Sequence, residues 1–357
     1  MLRSIRDERV VNACRPLVIG HPEVLRRTFS QGRTVGEFAS SVFPGWPTDR
    51  SELVSFLDSL SDSEIAVLNP LAGDAVLAAS VGSVNAAAGD AAFRFLKGAA
   101  ELALDGVVDA LATAPISKAA LHAAGHRYPG HTEILAELCH SDDFAMMLHL
   151  PESRLRPLRS VISAETVACA NGCGLSIAHA TLHISLASVP GRLTTQSIAA
   201  ATFLMRDFLQ RLGSDRNAIA VAALNPHGGE DGLFGKEESD IIVPAVEAAR
   251  DQGCHVTGPL PVDTLMRRAV AGEFDGVIAM YHDQGHIPVK LIGFDAAVNI
   301  TLGLPIVRTS PTHGTAFDRA RNPAAPVDAS GMIEAILMAA ELCSETAGSR
   351  SSEGTGP

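Results

Sequence analysis

The chain contains no run of about 18 apolar residues, so no segment reads as a membrane-spanning helix. Its first residues, MLRSIRDERVV, are charged and lack the apolar centre of a signal peptide. Basic charge is in deficit, with 28 Lys and Arg against 40 Asp and Glu and a net charge of −12. That balance argues against a nucleic-acid binder, which needs a basic face to neutralise phosphates. It leaves room for a locally basic pocket holding a small anion. Cysteine is sparse: Cys14, Cys139, Cys169, Cys173, Cys254 and Cys343 are scattered, and only Cys169 and Cys173, in CANGC, lie close together. A zinc knuckle shows two such pairs, so the thiols read as reduced cysteines of a cytoplasmic protein. No G-x-G-x-x-G follows a strand-like run, which removes the glycine fingerprint of a common dinucleotide site, and there is no internal repeat.

What is present points to a folded α/β protein. The chain has 357 residues, 46% hydrophobic and 19% charged, enough apolar material for two lobes with sizeable cores and too apolar for disorder. Short apolar runs alternate with longer helical patterns. GVVDALATAP (106–115) reads as a helix end or strand meeting a Pro-marked loop, AIAVAALNPHGGE (218–230) as a strand breaking at Asn-Pro, and FDGVIAMYHDQG (274–285) as a strand running into a polar loop. AAVNITLGLPIVRTS (296–310) is β-branched with turn residues inside it. Residues 195–212 and 238–253 have helical patterns, the second ending at a C-cap glycine, Gly253. The stretch 150–176 looks irregular, as an inserted loop would, and the small, polar tail 344–357 reads as disordered.

Polar residues with chemical potential follow the strand-like runs, where ligands bind in open α/β sheets. His183 in HATLHISL, His227 in LNPHGGE and His282 in MYHDQG sit at such junctions. They are too far apart to share a helix, so they meet only if strand ends converge. Three neutral imidazoles would then suit zinc or a similar divalent ion and leave positions open for substrate, although each alone also reads as an ordinary loop histidine. Asp283, next to His282, could orient a ring nitrogen or be a solvated loop acid. In GHTE (130–133), His131 and Thr132 enter a helix whose N–H groups attract anions; local sequence equally describes simple capping. Lys290, Asn299 and Arg308 recur nine residues apart, each polar inside an apolar run. Burying cations requires a partner, either an anionic ligand gripped by Lys290 and Arg308 or internal acids. Asp263 in GPLPVDT reads as the N-cap of a helix starting at Thr264, or else as a catalytic acid.

Taken together, ATAPISKAALHAAGHRYPGHTEILAEL, ALNPHGGEDGLFGKEESDIIVPA, GPLPVDT, AMYHDQGHIPVKLIGF and VNITLGLPIVRTSPTHGTAFD resemble the 4-hydroxythreonine-4-phosphate dehydrogenase family over roughly residues 80 to 320. GHTEILAEL, YHDQGHIPVKLIGFD and VNITLGLPIVRTS look closest to its D-threonate or D-erythronate 4-phosphate branch. The resemblance implies a homodimeric NAD-linked (or NADP-linked) oxidoreductase of pyridoxine biosynthesis or a related route. It would oxidise and decarboxylate a small phosphorylated hydroxy acid. It implies a divalent metal (Zn, Mg or Co) on His183, His227 and His282, with substrate contacts from His131, Thr132, Lys290, Asn299 and Arg308. Lys290 and Asp263 would then be the proton-transfer candidates. The implied fold is two α/β/α lobes with a central cleft, like isocitrate and isopropylmalate dehydrogenases, which bind NAD without the glycine fingerprint. The expected lobes are 1–124 with 318–343, and 125–317. Against that family the chain begins past an opening strand and a GDPxGIGPE-type loop, and the segment between MML (146–148) and HATLH is longer. Two alternatives are a cis-dihydrodiol dehydrogenase of aromatic acid breakdown, whose homologues share an HDQGHIP-like run, and a non-catalytic metal-binding relative. GHTE and Arg308 favour a phosphorylated substrate.

Overall fold

The computed structural model describes residues 1–28, 39–61, 64–162, 172–322 and 324–352. Among the described residues, eleven strands alternate with helices: β1 (Val18–Ile19), β2 (Ala39–Val42), β3 (Glu64–Leu68), β4 (Ala110–Ala112), β5 (Ala145–Leu150), β6 (Leu175–His179), β7 (Ile219–Ala222), β8 (Val256–Leu260), β9 (Gly276–Ala279), β10 (Val298–Leu302) and β11 (Val307–Pro311). The α/β class expected from the alternating pattern is the class observed. None of the described helices is long and apolar enough to cross a membrane.

The chain divides into two units, Met1–Ser141 with Leu304–Cys343, and Asp142–Gly303 with Ser344–Pro357. The first contains a parallel sheet ordered β1-β3-β2 and a parallel β4–β11 pair. In the second, strands run β10-β5-β6-β9-β7-β8. There β10–β5 and β5–β6 are antiparallel, while β6–β9, β9–β7 and β7–β8 are parallel. Every residue of β6, β7 and β9 is buried, as expected for strands covered on both faces, which is why they read as continuous apolar runs rather than alternating ones. The second unit's core gathers Leu148, Leu150 and Leu175 with Ile177, Val277 and Val289.

The unit boundaries differ from the expected lobes: residues 125–141 and 304–317 belong with the first unit. The reason is packing. The helix His131–Leu138 buries Ile134 and Leu135 against Leu96, Leu111, Leu121 and Ile306, and β11 pairs with β4. The first part of 150–176 is not an irregular loop but a helix, Glu152–Ile162. Leu155 is buried there, and Arg159 donates to both oxygens of Glu152 and to the Val270 carbonyl. Residues 163–171 lie outside the described residues. The last helix, Ser330–Ser352, runs past the expected start of a disordered tail at Ser344; 353–357 lie outside the described residues.

One buried histidine ties this fold to pH. His149 on β5 is almost fully buried, its Nδ1 3.0 Å from Ser176 Oγ on β6. Burial lowers its pKa to about 4 from the ordinary 6.5. Between those values the unfolded chain binds a proton that the folded chain refuses, so the stability present above pH 6.5 is lost as pH falls toward 4. A single fully buried group shifted this far accounts for about 3 kcal/mol. Denaturant midpoints of the native chain and of His149→Gln, followed from pH 7 to 4, should converge as pH falls. Two curves offset by a constant would show that His149 does not carry this dependence.

Candidate active site

Three parallel neighbouring strands, β6, β9 and β7, deliver their C-terminal ends to one edge of the second unit. His183 follows β6, His282 follows β9 and His227 follows β7. His183 and His227 are exposed and His282 is half-buried. The His183 and His282 rings lie 6.0 Å apart between centroids. His227 has φ 53° and stands 6.4 Å from the Phe234 ring. Among the described residues, no group of three or more His, Cys, Asp or Glu side chains is arranged to hold an ion. The structure thus brings two of the three predicted imidazoles together and leaves the third on the loop of the adjoining strand. By donor type the three imidazoles suit a divalent ion such as zinc.

HDQG is not the polar loop that Gly285 suggests. It is the first turn of a helix, His282–Gly293. A Cβ at Gly285 would lie 2.4 Å from His179 Nε2, so glycine is what allows this turn to press onto β6. The helix places His286 one turn after His282, with the rings stacked 3.6 Å apart at 11°. His286 Nδ1 lies 3.2 Å from His179 Nε2. Burial, then the charges of His179, His282 and Lys290, pull His286 down to about 3. Burial likewise takes His179 to about 4. Both rings are therefore neutral at physiological pH, as a platform beneath His282. On the other side, Asp283 Oδ1 lies 2.7 Å from His282 Nδ1. Buried Gln284 accepts from Met280 N at 2.7 Å and donates to the Ala223 carbonyl at 2.9 Å, tying the ends of β9 and β7. Sequence reasoning missed His179, His286 and Gln284. Reading HDQGH as a helix would have found His286, four residues after His282.

The first unit holds a separate cationic group. Arg308 on β11 is 2% exposed and donates through Nε and Nη2 to Thr113 Oγ1 at 3.1 and 2.9 Å. Burial lowers it to about 10, with the Glu133 charge opposing. That leaves it a cation throughout the physiological range. His131 is close enough to feel it: burial first, then the Arg308 charge, hold His131 at about 3, against a hydrogen bond with the Ala114 backbone. His131, Thr132 and Glu133 form the first turn of the helix His131–Leu138, and all three are half-buried. The capping reading of GHTE fails here. The N-cap position is Gly130, and no side chain makes a capping hydrogen bond, so the first-turn N–H groups face the anion-attracting end of the helix without one.

Lys290 is half-buried on the helix His282–Gly293 and forms no salt bridge among the described residues. Asn299 is half-buried on β10, opposite Leu148 of β5. Asp263 is not an N-cap: its helix, Val262–Val270, begins one residue earlier, with Pro261 at the cap position. The Asp263 side chain is exposed and accepts from Thr264 N at 3.0 Å.

Residues 12–339 match the family model "Pyridoxal phosphate biosynthetic protein PdxA". The chain belongs to the PdxA family. A D-threonate 4-phosphate dehydrogenase from Salmonella typhimurium is 48% identical over 249 residues, covering 70% of this chain and 69% of that protein. A 4-hydroxythreonine-4-phosphate dehydrogenase from Trichlorobacter lovleyi is 40% identical over 345 residues, covering 96% and 92%. Among solved structures, a 4-hydroxythreonine-4-phosphate dehydrogenase from Klebsiella pneumoniae superimposes with a TM-score of 0.74 at 40% identity, covering 92% of this chain and 88% of that one. A terephthalate 1,2-cis-dihydrodiol dehydrogenase from Burkholderia xenovorans reaches 0.54 at 30% identity, covering 84% and 89%.

Proposed function

We propose that this PdxA-family chain is a metal-dependent, NAD-linked dehydrogenase that oxidises and decarboxylates a phosphorylated hydroxy acid, 4-hydroxythreonine 4-phosphate or a D-threonate or D-erythronate 4-phosphate. The observation that carries this reading is the edge formed by β6, β9 and β7, which presents His183, His282 and His227 on adjoining strand ends. His183, His227 and His282 would hold the ion. When bound, a divalent metal acts as a Lewis acid toward hydroxyl and carboxylate oxygens, and a nicotinamide accepts the hydride.

The chain's own residues do the rest. Asp283 and His286 fix the His282 ring from its edge and its face. Lys290, half-buried and without an ion-pair partner among the described residues, is the candidate to exchange a proton with the reacting oxygen. Asp263 stays a weaker candidate for proton transfer, since it is exposed. Arg308 and the open start of the helix His131–Leu138, with Thr132, hold the phosphate or carboxylate. Asn299 supplies an amide to the substrate. The family's homodimer is the assembly proposed for this chain.

The dihydrodiol reading finds less support: that structure is less similar, and its substrate carries no phosphate for Arg308 and the helix start to grip. The test is NADH formation with D-threonate 4-phosphate, D-erythronate 4-phosphate, 4-hydroxythreonine 4-phosphate and a cis-dihydrodiol of an aromatic acid, with and without chelator. Turnover of a phosphorylated acid that chelator abolishes and added metal restores is expected. Turnover of the dihydrodiol alone, or full activity in chelator, contradicts the reading.

A further inference from the structure

The loop that carries His227 has an unusual backbone. His227, Gly228, Gly229, Glu230, Asp231 and Gly232 all have positive φ, from 42° to 94°. Left-handed backbone is strained for a residue other than glycine, and three of these six are not glycine. Such a path persists only where the surroundings over-determine it. Backbone bonds inside the loop run from Gly228 N to the Asn225 carbonyl and from Phe234 N to the Gly229 carbonyl, and one buried acid sits at its root. Glu238 is 6% exposed and opens a π-helical turn, Glu238–Ile242, a type of bulge frequent at functional sites. Its Oε1 accepts from Leu224 N at 2.8 Å and Asn225 N at 2.7 Å, and its Oε2 accepts from Asn225 Nδ2 at 2.9 Å. Asn225 Nδ2 also donates to Glu237 Oε2 at 2.7 Å.

Two glycines make room for this bridge. A Cβ at Gly229 would stand 2.7 Å from Glu238 Oε2. One at Gly235 would stand 2.3 Å from Glu237 Oε2 and 2.6 Å from Asn225 Nδ2. The Glu238 carboxyl thus bonds the strand end just before His227 and packs closely against Gly229 just after it.

We propose that Glu238, acting through Asn225, is the positioning residue that holds the His227 loop in its left-handed course and so sets His227 for metal binding. The inference rests on the metal reading above. In Glu238→Gln an NH2 group replaces one oxygen and must face either the two backbone N–H groups or Asn225 Nδ2, a donor against a donor in either rotamer. The loop then loses part of its hold while shape and volume are kept.

The test is cobalt(II) binding to the metal-free protein, followed by visible absorption, for the native chain, His227→Ala, Glu238→Gln and Asn225→Ala, with Tm measured on each metal-free variant. Loss of a group that orients a metal ligand typically weakens metal binding 10- to 100-fold. That weakening is expected in Glu238→Gln and, in the same direction, in Asn225→Ala, with Tm close to native in at least one of them. Native cobalt affinity in a folded Glu238→Gln or Asn225→Ala chain overturns the proposal while leaving the metal reading intact. A fall in affinity only in step with a fall in Tm also overturns it, since the role is then structural. A native chain that binds no cobalt, or binds it as well without His227, overturns both.

Discussion

Alanine in place of His282 is expected to remove bound divalent metal and to lower kcat by about a thousandfold or more. A metal contributes several kcal/mol of charge stabilisation, and each 1.36 kcal/mol is a factor of ten in rate. His282 is central to the site: its ring stacks on His286, its Nδ1 meets Asp283, and His183 lies 6.0 Å away. Removing it takes away one of the three proposed ligands and exposes the His286 ring stacked on it. Metal content by atomic absorption and turnover should fall together, with circular dichroism unchanged. A folded His282→Ala protein that turns over normally without metal would contradict the assignment.

The second large effect is expected at Arg308. Replacing it with Met should lower kcat/KM for the phosphorylated substrate by about 30- to 4,000-fold, the 2–5 kcal/mol carried by a buried charge pair when one partner is truncated. The loss should appear mainly as a raised KM, since the role proposed for Arg308 is to bind an anion in ground and transition state alike. Folding stability should hold or rise. A buried guanidinium is costly to desolvate, and an apolar side chain of similar length often replaces such a group without loss. Arg308→Lys should recover only part of the affinity, because an ammonium lacks the planar fork that meets Thr113 twice. An unchanged KM in Arg308→Met would remove Arg308 from the anion site. A large loss of stability would make it a structural cation.

Much of the site is legible in the sequence because its residues break apolar runs at strand ends. His183, His227 and His282 were visible as polar residues closing strand-like segments, and the parallel β6–β9–β7 order puts those ends side by side. Arg308 was visible as a cation inside an apolar run, since burial of a bare charge needs a reason. The less legible parts depend on contacts distant in sequence. HDQG, closing the run 274–285, reads as a polar loop; only the proximity of His179, 106 positions before Gly285, shows why a helix there requires glycine. GHTE resembled a capped helix start because its residue types suit capping, whereas the cap position falls on Gly130. The unit boundary was misplaced because Ile134, Leu135 and Ile306 carry no local sign of which core they join. Glu238 opens the helical pattern 238–253, and nothing local shows that it reaches back to Leu224 and Asn225.

The account rests on one divalent ion shared by three strand-end imidazoles. Diffraction from zinc-loaded crystals, collected on both sides of the zinc absorption edge, tests this directly. One anomalous peak per chain is predicted, within about 2.0–2.1 Å of a ring nitrogen from each of His183, His227 and His282. A peak bound by other residues, or one that leaves His227 out, would contradict it.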